Sequence, residues 1–280
     1  MKPRIPLTKV SRLAGGLDHP EGVAVLSTGQ VVAGGEAGQL YGIGIDGAVE
    51  LLATTGGFIL GLCVDAADNV YLADIGSASV HVWSRDAGVE PFSAGAAERP
   101  FRHPNAMALS AHGLYVTDSG AWDDADGTIH LLQSDGTGRV VGDDFARFPN
   151  GIAVSPDEAW LYVAESQCGV SRAKIRPDGG LGGREEVLAM PGEVPDGLLF
   201  DGDGGLLITC YQPNAVYRLD PGGDVTLELR DDLAQLLSMP TNGAWLHDGR
   251  LLLANLGGWH VSAVDVPYPA STPAPRSFRP

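Results

Sequence analysis

Hydrophobic residues along this chain come in short paired runs set apart by turn residues. The first member of each pair is Val23-Ala24-Val25, Met107-Ala108-Leu109, Ile152-Ala153-Val154, Leu198-Leu199-Phe200 or Ala244-Trp245-Leu246. A second run follows roughly ten residues later: Val31-Val32-Ala33, Leu114-Tyr115-Val116, Leu161-Tyr162-Val163, Leu206-Leu207-Ile208 and Leu251-Leu252-Leu253. Turn formers such as Ser27-Thr28-Gly29 and Asp201-Gly202-Asp203-Gly204-Gly205 separate them, so each pair predicts a hairpin. A third run alternates, as in Val80-His81-Val82-Trp83 and Val216-Tyr217-Arg218-Leu219. A fourth, weaker run such as Arg139-Val140-Val141 leads into the next unit. Nothing follows a 3.6-residue period, and 39 glycines suit turns better than helices.

A short phrase introduces each first run. It reads His19-Pro20-Glu21-Gly22, His103-Pro104-Asn105, Phe148-Pro149-Asn150-Gly151 and Val194-Pro195-Asp196-Gly197, with a looser copy at Pro240-Thr241-Asn242-Gly243. Asn105, Asn150, Asp196 and Asn242 stand 45, 46 and 46 residues apart. The interval from Glu21 to Asn105 is two periods, and Gly57 to Val64 fills the gap with Leu60 in the donor slot. Six repeats of four strands predict an all-β fold, a six-bladed β-propeller with four antiparallel strands per blade. A solenoid is the competing arrangement. The ends favour a ring: no fourth strand follows His260–Val264, and an orphan run, Leu7-Thr8-Lys9-Val10, precedes the first repeat. Pairing the two closes the ring and removes its open edges. Residues 1–280 then form one domain, with 267–280 a Pro-rich tail expected to be mobile beyond its first residues.

Composition narrows the partners. A formal charge of −17 repels phosphate backbones and anionic lipid, leaving a small molecule as the expected partner rather than nucleic acid or membrane. No apolar run is long enough to span a bilayer, and Cys63, Cys168 and Cys210 have neither disulfide-framework nor zinc spacing. Cytoplasmic residence is the expectation. Oligomeric state is not legible.

In a propeller the first strand of every blade lines the central channel, so the phrases should meet in a ring around the axis. Glu21, Asn105, Asn150, Asp196 and Asn242 would face it, with Leu60 as the apolar member. Loops after the second strands open on the same face and bring Glu36, Asp74, Asp118, Ser119, Trp122, Glu165, Ser166, Cys210, Tyr211, Asn255 and Trp259 towards that mouth. Carboxylates and amide oxygens without Cys or His in the equivalent slots describe a hard-cation site. Calcium fits best, with magnesium, manganese or zinc as alternatives. Asn and Asp also suit turns for purely structural reasons, but Glu21 does not.

The ordered set Glu21-Gly22, Pro149-Asn150-Gly151 and Pro195-Asp196-Gly197, with Thr117-Asp118-Ser119-Gly120, resembles the SMP-30/gluconolactonase/LRE family over residues 15–265. The resemblance implies a six-bladed propeller with one axial divalent metal. It implies Glu21, Asn150 and Asp196 as metal ligands, Asp196 also as general base, and Asn105 as a residue touching the substrate or its water. The chain departs from the sugar-lactonase pattern at His103-Pro104-Asn105-Ala106, where Arg-Pro-Asn-Asp is usual. His103 replaces the arginine that meets a polar substrate, or Arg102 displaces it, which argues against a polyhydroxylated sugar lactone. Tyr211, Trp122 and Trp259 would suit a partly apolar ligand if they reach the mouth, and otherwise pack blades.

The expected activity is metal-dependent hydrolysis of a lactone or related cyclic ester, in which the cation polarises the carbonyl and a carboxylate accepts the proton. No Gly-x-Ser-x-Gly elbow offers a serine nucleophile. Two alternatives stand beside it. One is a non-hydrolytic cyclase, dehydratase or condensing enzyme on the same pocket; the other is a non-catalytic binding propeller. Cys210 is read as pocket lining, and His19 and His103 as histidines beside turns.

Overall fold

The computed structural model describes residues 2–271 and 276–278. Six sheets follow one another along the chain, antiparallel except where the short strand Gly95–Ala96 joins the outer edge of the third in parallel, and among the described residues the only helical segments are two short 3-10 turns. Blades 1 and 2 run from Val23 to Thr54 and from Ile59 to Ser93. Blades 3, 4 and 5 run from Pro104 to Gly142, Pro149 to Ala189 and Val194 to Arg230. Blade 6 takes Pro240–Trp245, Leu251–Asn255 and His260–Val264 from the C-terminal end and its outer strand from the N-terminus. The inner strands touch in the order 1-2-3-4-5-6-1, so the ring is closed. No described helix is long and apolar enough to cross a membrane.

The closing strand lies further along than its apolar pattern predicts. Val10–Gly15 pairs with His260–Val264, whereas Leu7–Lys9 is a 3-10 turn held by Lys9 N donating to Pro6 O. An outermost strand leaves one edge to solvent, so the exposed Ser11 and Arg12 belong to it despite their polarity. The N-terminus continues past this strand. Backbone N–H groups of Arg4 and Ile5 donate to Leu227 and Glu228 of blade 5, and the Arg4 guanidinium meets the buried Glu228 carboxylate at 2.9 Å.

The tail is not simply loose. Tyr268 is buried between the Arg4 and Arg218 guanidiniums, and Ala270 bridges to Asp201. Ala66 N donates to Arg276 O, while Phe278 packs on Tyr71 and Phe92. Arg276 also pairs with Glu158. Asp201, Asp65–Asn69 and Glu158 lie in turns at the ends of inner strands. The described tail residues therefore lie on the face opposite the strand starts. Phe278 and Tyr268 supply the apolar anchors that Pro-rich composition hides.

Each sheet packs its side chains between neighbouring blades. Ile129, Leu131 and Tyr115 of blade 3 and Phe145 of the connection after it, for example, meet Leu161, Val163 and Ala173 of blade 4 in one buried cluster. Near the axis the blades approach too closely for side chains, and the glycine after the donor residue is the reason they can. A Cβ on Gly22, Gly61, Gly151 or Gly197 would collide with the backbone of Leu60, Asn105, Asp196 or Thr241 in the next blade. Blade 3 has Ala106 at this position, buried beside blade 4. The donor-Gly phrase is thus two statements: one side chain for the channel and one missing side chain for the seam.

Candidate active site

Glu21, Asn105, Asn150 and Asp196 are all buried at the starts of inner strands. Asn105 and Asn150 are oriented by a device used twice. Asn105 Nδ2 donates to Ser119 Oγ at 3.1 Å, and Ser119 Oγ donates to Pro149 O at 2.8 Å. One blade on, Asn150 Nδ2 donates to Ser166 Oγ at 3.3 Å, and Ser166 Oγ donates to Pro195 O at 2.9 Å. Each serine hydroxyl therefore ties an amide nitrogen to the next blade. The partner oxygens, Asn105 Oδ1 and Asn150 Oδ1, are buried and accept no hydrogen bond, and neither does Asp196 Oδ1. Buried polar atoms are almost always paired, so three orphaned oxygens on neighbouring inner strands mark a place for a ligand.

Electrostatics agree. Burial pushes the Asp196 carboxyl up to about 7, opposed by a hydrogen bond from Asn150. Glu21 is raised well above the usual carboxylate range by burial and then by the Asp196 charge. Two buried carboxylates, the charge of Asp196 raising Glu21, lack a compensating positive charge. Carboxylate, amide oxygen and no thiolate or imidazole is the donor set of a hard divalent cation, so these residues fit the metal that the family resemblance implies.

The remaining ring members differ. Leu60 is buried in the donor slot of blade 2, opposite Asp196 in the ring. Asn242 is half-buried, and its Nδ2 donates to Glu21 O at 3.2 Å, helping Thr241 Oγ1 (2.7 Å to the same oxygen) lock the seam between blades 6 and 1.

Several loop residues expected at the mouth turn inward instead. Asp74 accepts from Phe58 N, Asp118 from Arg102 N and His103 N, and Asn255 from Ser238 N. These side chains cap the backbone of the segment before each phrase, although Asp74 Oδ2 is buried without a hydrogen-bond partner. Glu165 meets Arg184 Nε and Ser171 Oγ. Cys210 is fully buried with its thiol towards Glu193, and burial raises it above the ordinary thiol range; it does not line the pocket. Tyr211, next to it, is half-buried and occupies the position of Ser119 and Ser166; burial first, then the Asp196 and Glu21 charges, raise its hydroxyl pKa. His103 Nδ1 lies 2.7 Å from Gly120 O, and Arg102 is paired with Asp126.

Trp122 and Trp259 stand on the loops after the second strands of blades 3 and 6, 47% and 50% exposed. Trp122 stands edge-to-face with Phe148 and Trp259 with His19, at 4.9 and 4.8 Å between ring centres. His19 is held by Asp18 and Glu36, 2.9 and 2.7 Å from its Nδ1. His19, Phe148, Met239 and Trp259 all have φ between 43 and 57°. Left-handed backbone is uncommon for bulky residues and costs about 1–3 kcal/mol each.

A family model described as SMP-30/gluconolactonase/LRE-like region matches residues 85–248, more than half of the chain. The chain belongs to this family. No curated protein matches its sequence. Among solved structures, a gluconolactonase from Xanthomonas campestris superposes with a TM-score of 0.78 at 22% identity, covering 94% of this chain and 89% of that one. Regucalcin from Agrobacterium tumefaciens, a calcium-binding protein, gives 0.75 at 17% identity, with 95% of both chains covered. Virginiamycin B lyase from Staphylococcus aureus gives 0.69 at 14%, covering 92% of this family member and 99% of the lyase. At these identities the superpositions establish a shared fold.

Proposed function

We propose that this family member is a divalent-metal-dependent hydrolase that opens a lactone or related cyclic ester at the centre of the ring. It acts on a small molecule, not nucleic acid or membrane, in the cytoplasm. The observation that carries the reading is the set of orphaned buried oxygens, Asn105 Oδ1, Asn150 Oδ1 and Asp196 Oδ1, beside a second buried carboxylate, Glu21.

Glu21, Asn150 and Asp196 hold the cation, with calcium the best match to an all-oxygen set. Bound there, it supplies Lewis acidity towards the lactone carbonyl and the attacking water. Asp196 accepts the proton as the water oxygen bonds to the carbonyl carbon; the ring C–O bond breaks and the departing alkoxide takes a proton. Ligation to the cation would keep Asp196 ionised, so its carboxylate could accept that proton and return it to the leaving oxygen. Asn105, oriented by Ser119, presents its amide oxygen to the substrate or its water. His103, fixed through Nδ1, offers its other ring nitrogen at the rim.

The test is elemental analysis of purified protein coupled to a lactone panel. One equivalent of divalent metal per chain, with turnover abolished by a chelator and restored by the metal, is the expected result. Metal binding without turnover of any lactone would count for a non-hydrolytic reaction; no metal and no turnover, for a binding propeller.

A further inference from the structure

Resting on that hydrolase reading, we infer that the substrate is a lactone bearing a bulky apolar substituent, an aromatic ring or a long alkyl chain, gripped by Trp122 and Trp259 from opposite sides of the mouth.

Ring order places these side chains. Trp122 lies on the loop leaving blade 3 and packs on Phe148 at the entry to blade 4. Trp259 lies on the loop leaving blade 6 and packs on His19 at the entry to blade 1. In a six-membered ring the junctions 3/4 and 6/1 are diametrically opposed, with the buried oxygens between them. Both indoles leave about half their surface to solvent although each has an aromatic partner at its edge.

Neither is a loose surface residue. The Trp259 carbonyl accepts from Leu17 N, and its packing partner His19 is fixed by Asp18 and Glu36. The Trp122 carbonyl accepts from Gln167 Nε2. His19 and Phe148, like Met239, precede the phrase proline in left-handed backbone, a feature of the repeat that sets where these two partner rings stand, and Trp259 shares that conformation.

The polar groups point the same way. A polyhydroxylated ring needs many free donors and acceptors at the rim; Arg102 is engaged by Asp126 and His103 Nδ1 by Gly120 O, leaving His103 only its other ring nitrogen. Leu60 adds an apolar side chain opposite Asp196. Two indole faces and an aliphatic residue match an uncharged apolar body attached to a polar reacting ring.

The experiment compares two lactones in the metal-loaded wild-type protein: an aryl-substituted butyrolactone and gluconolactone. The Trp122→Ala, Trp259→Ala and double variants follow. The aryl lactone should be the better substrate by kcat/KM. Each single substitution should lower its kcat/KM about 10-fold, through KM, and leave gluconolactone within about twofold. Preference for gluconolactone, or equal losses on both substrates, overturns the inference. Binding is read separately by tryptophan fluorescence with an unreactive aryl-substituted cyclic ether. Quenching in wild type that is lost in the double variant sustains the aromatic grip even if no lactone is hydrolysed, in which case the hydrolase reading alone fails. Absence of quenching in wild type sinks the grip whatever the turnover.

Discussion

Blades 3 and 4 place a neutral amide at the axis, whereas blades 1 and 5 place a carboxylate, and the surroundings differ accordingly. Each amide is tied by a serine on the next strand, Ser119 for Asn105 and Ser166 for Asn150. In blade 5 the matching position is Tyr211, and the corresponding loop of blade 1 carries Glu36 beside His19. The chemistry of the donors explains the contrast. An amide has one oxygen and one NH2 end, and only an anchored nitrogen guarantees that oxygen faces the channel. A carboxylate presents oxygen either way, so it needs no such anchor. What it needs is a positive charge; without one, burial raises both Asp196 and Glu21, and the Asp196 charge raises Glu21 further. Neutral ligands are held by hydrogen bonds; charged ligands wait for a counter-charge.

Swapping the two kinds of donor is the harshest way to break this contrast. Asp196→Asn keeps size and one oxygen but loses the charge and the proton acceptor. At saturating metal its kcat should remain ~10²–10⁴-fold low, the usual worth of a general base. Asn150→Ala, which spares the base, should recover much of its rate under the same conditions. Equal recovery would make Asp196 a ligand only and shift the base to His103.

Removing the anchors comes next. Ser166→Ala frees the Asn150 amide to flip, and metal affinity measured by calorimetry should fall ~10–100-fold, as for other residues that orient ligands. Ser119→Ala should leave affinity near wild type and raise KM, because Asn105 is assigned to the substrate. Matching affinity losses in both would put Asn105 among the ligands.

The carboxylate side is tested through stability in metal-free protein. The folded-state pKa of Asp196, about 7, lies above its ordinary 3.8, so the folded chain holds more protons than the unfolded chain between those values. Stability contributed by this site should therefore decline as pH rises through that window. Glu21→Gln removes one of the opposing charges, so its Tm in chelator at pH 8 should exceed that of wild type. Saturating metal should reverse the order. A lower Tm for Glu21→Gln in chelator would show that the pair is compensated by some other group.

The smallest effect is expected at Tyr211. Tyr211→Phe removes a hydroxyl but no amide anchor, and metal affinity should stay within about twofold of wild type.

How much of this was legible depends on what each residue answers to. Donor spacing followed from the repeat, since Asn105, Asn150, Asp196 and Asn242 recur once per blade. The family assignment followed too, because it rests on that ordered set. The anchoring serines were visible as mouth residues but not as anchors, since the bond joins a strand end to the next blade's phrase. Asp74 and Asp118 were misplaced at the mouth because their backbone partners are local loop features with no sequence signal. Cys210 was misplaced because the irregular pairing around Val194 and Pro195 alters which way the strand end points. The closing strand was set too early because its middle is polar, and the tail's docking depended on two aromatic residues in a proline-rich stretch.

A glycine follows five of the six axial residues, Asn105 being followed by Ala106, and this governs how such a site changes over generations. Backbone meets backbone at the seams through Gly22, Gly61, Gly151 and Gly197, so the frame is indifferent to which side chain stands one position earlier. The axial residues are tools in sockets. Leu60→Asp would fit a third carboxylate into an existing socket without moving a strand, and its reverse at Asp196 would empty one. Glycine-to-alanine changes, conservative by chemistry, would split the frame itself. Inheritance can thus exchange chemistry at the axis freely while the residue that looks least informative stays put.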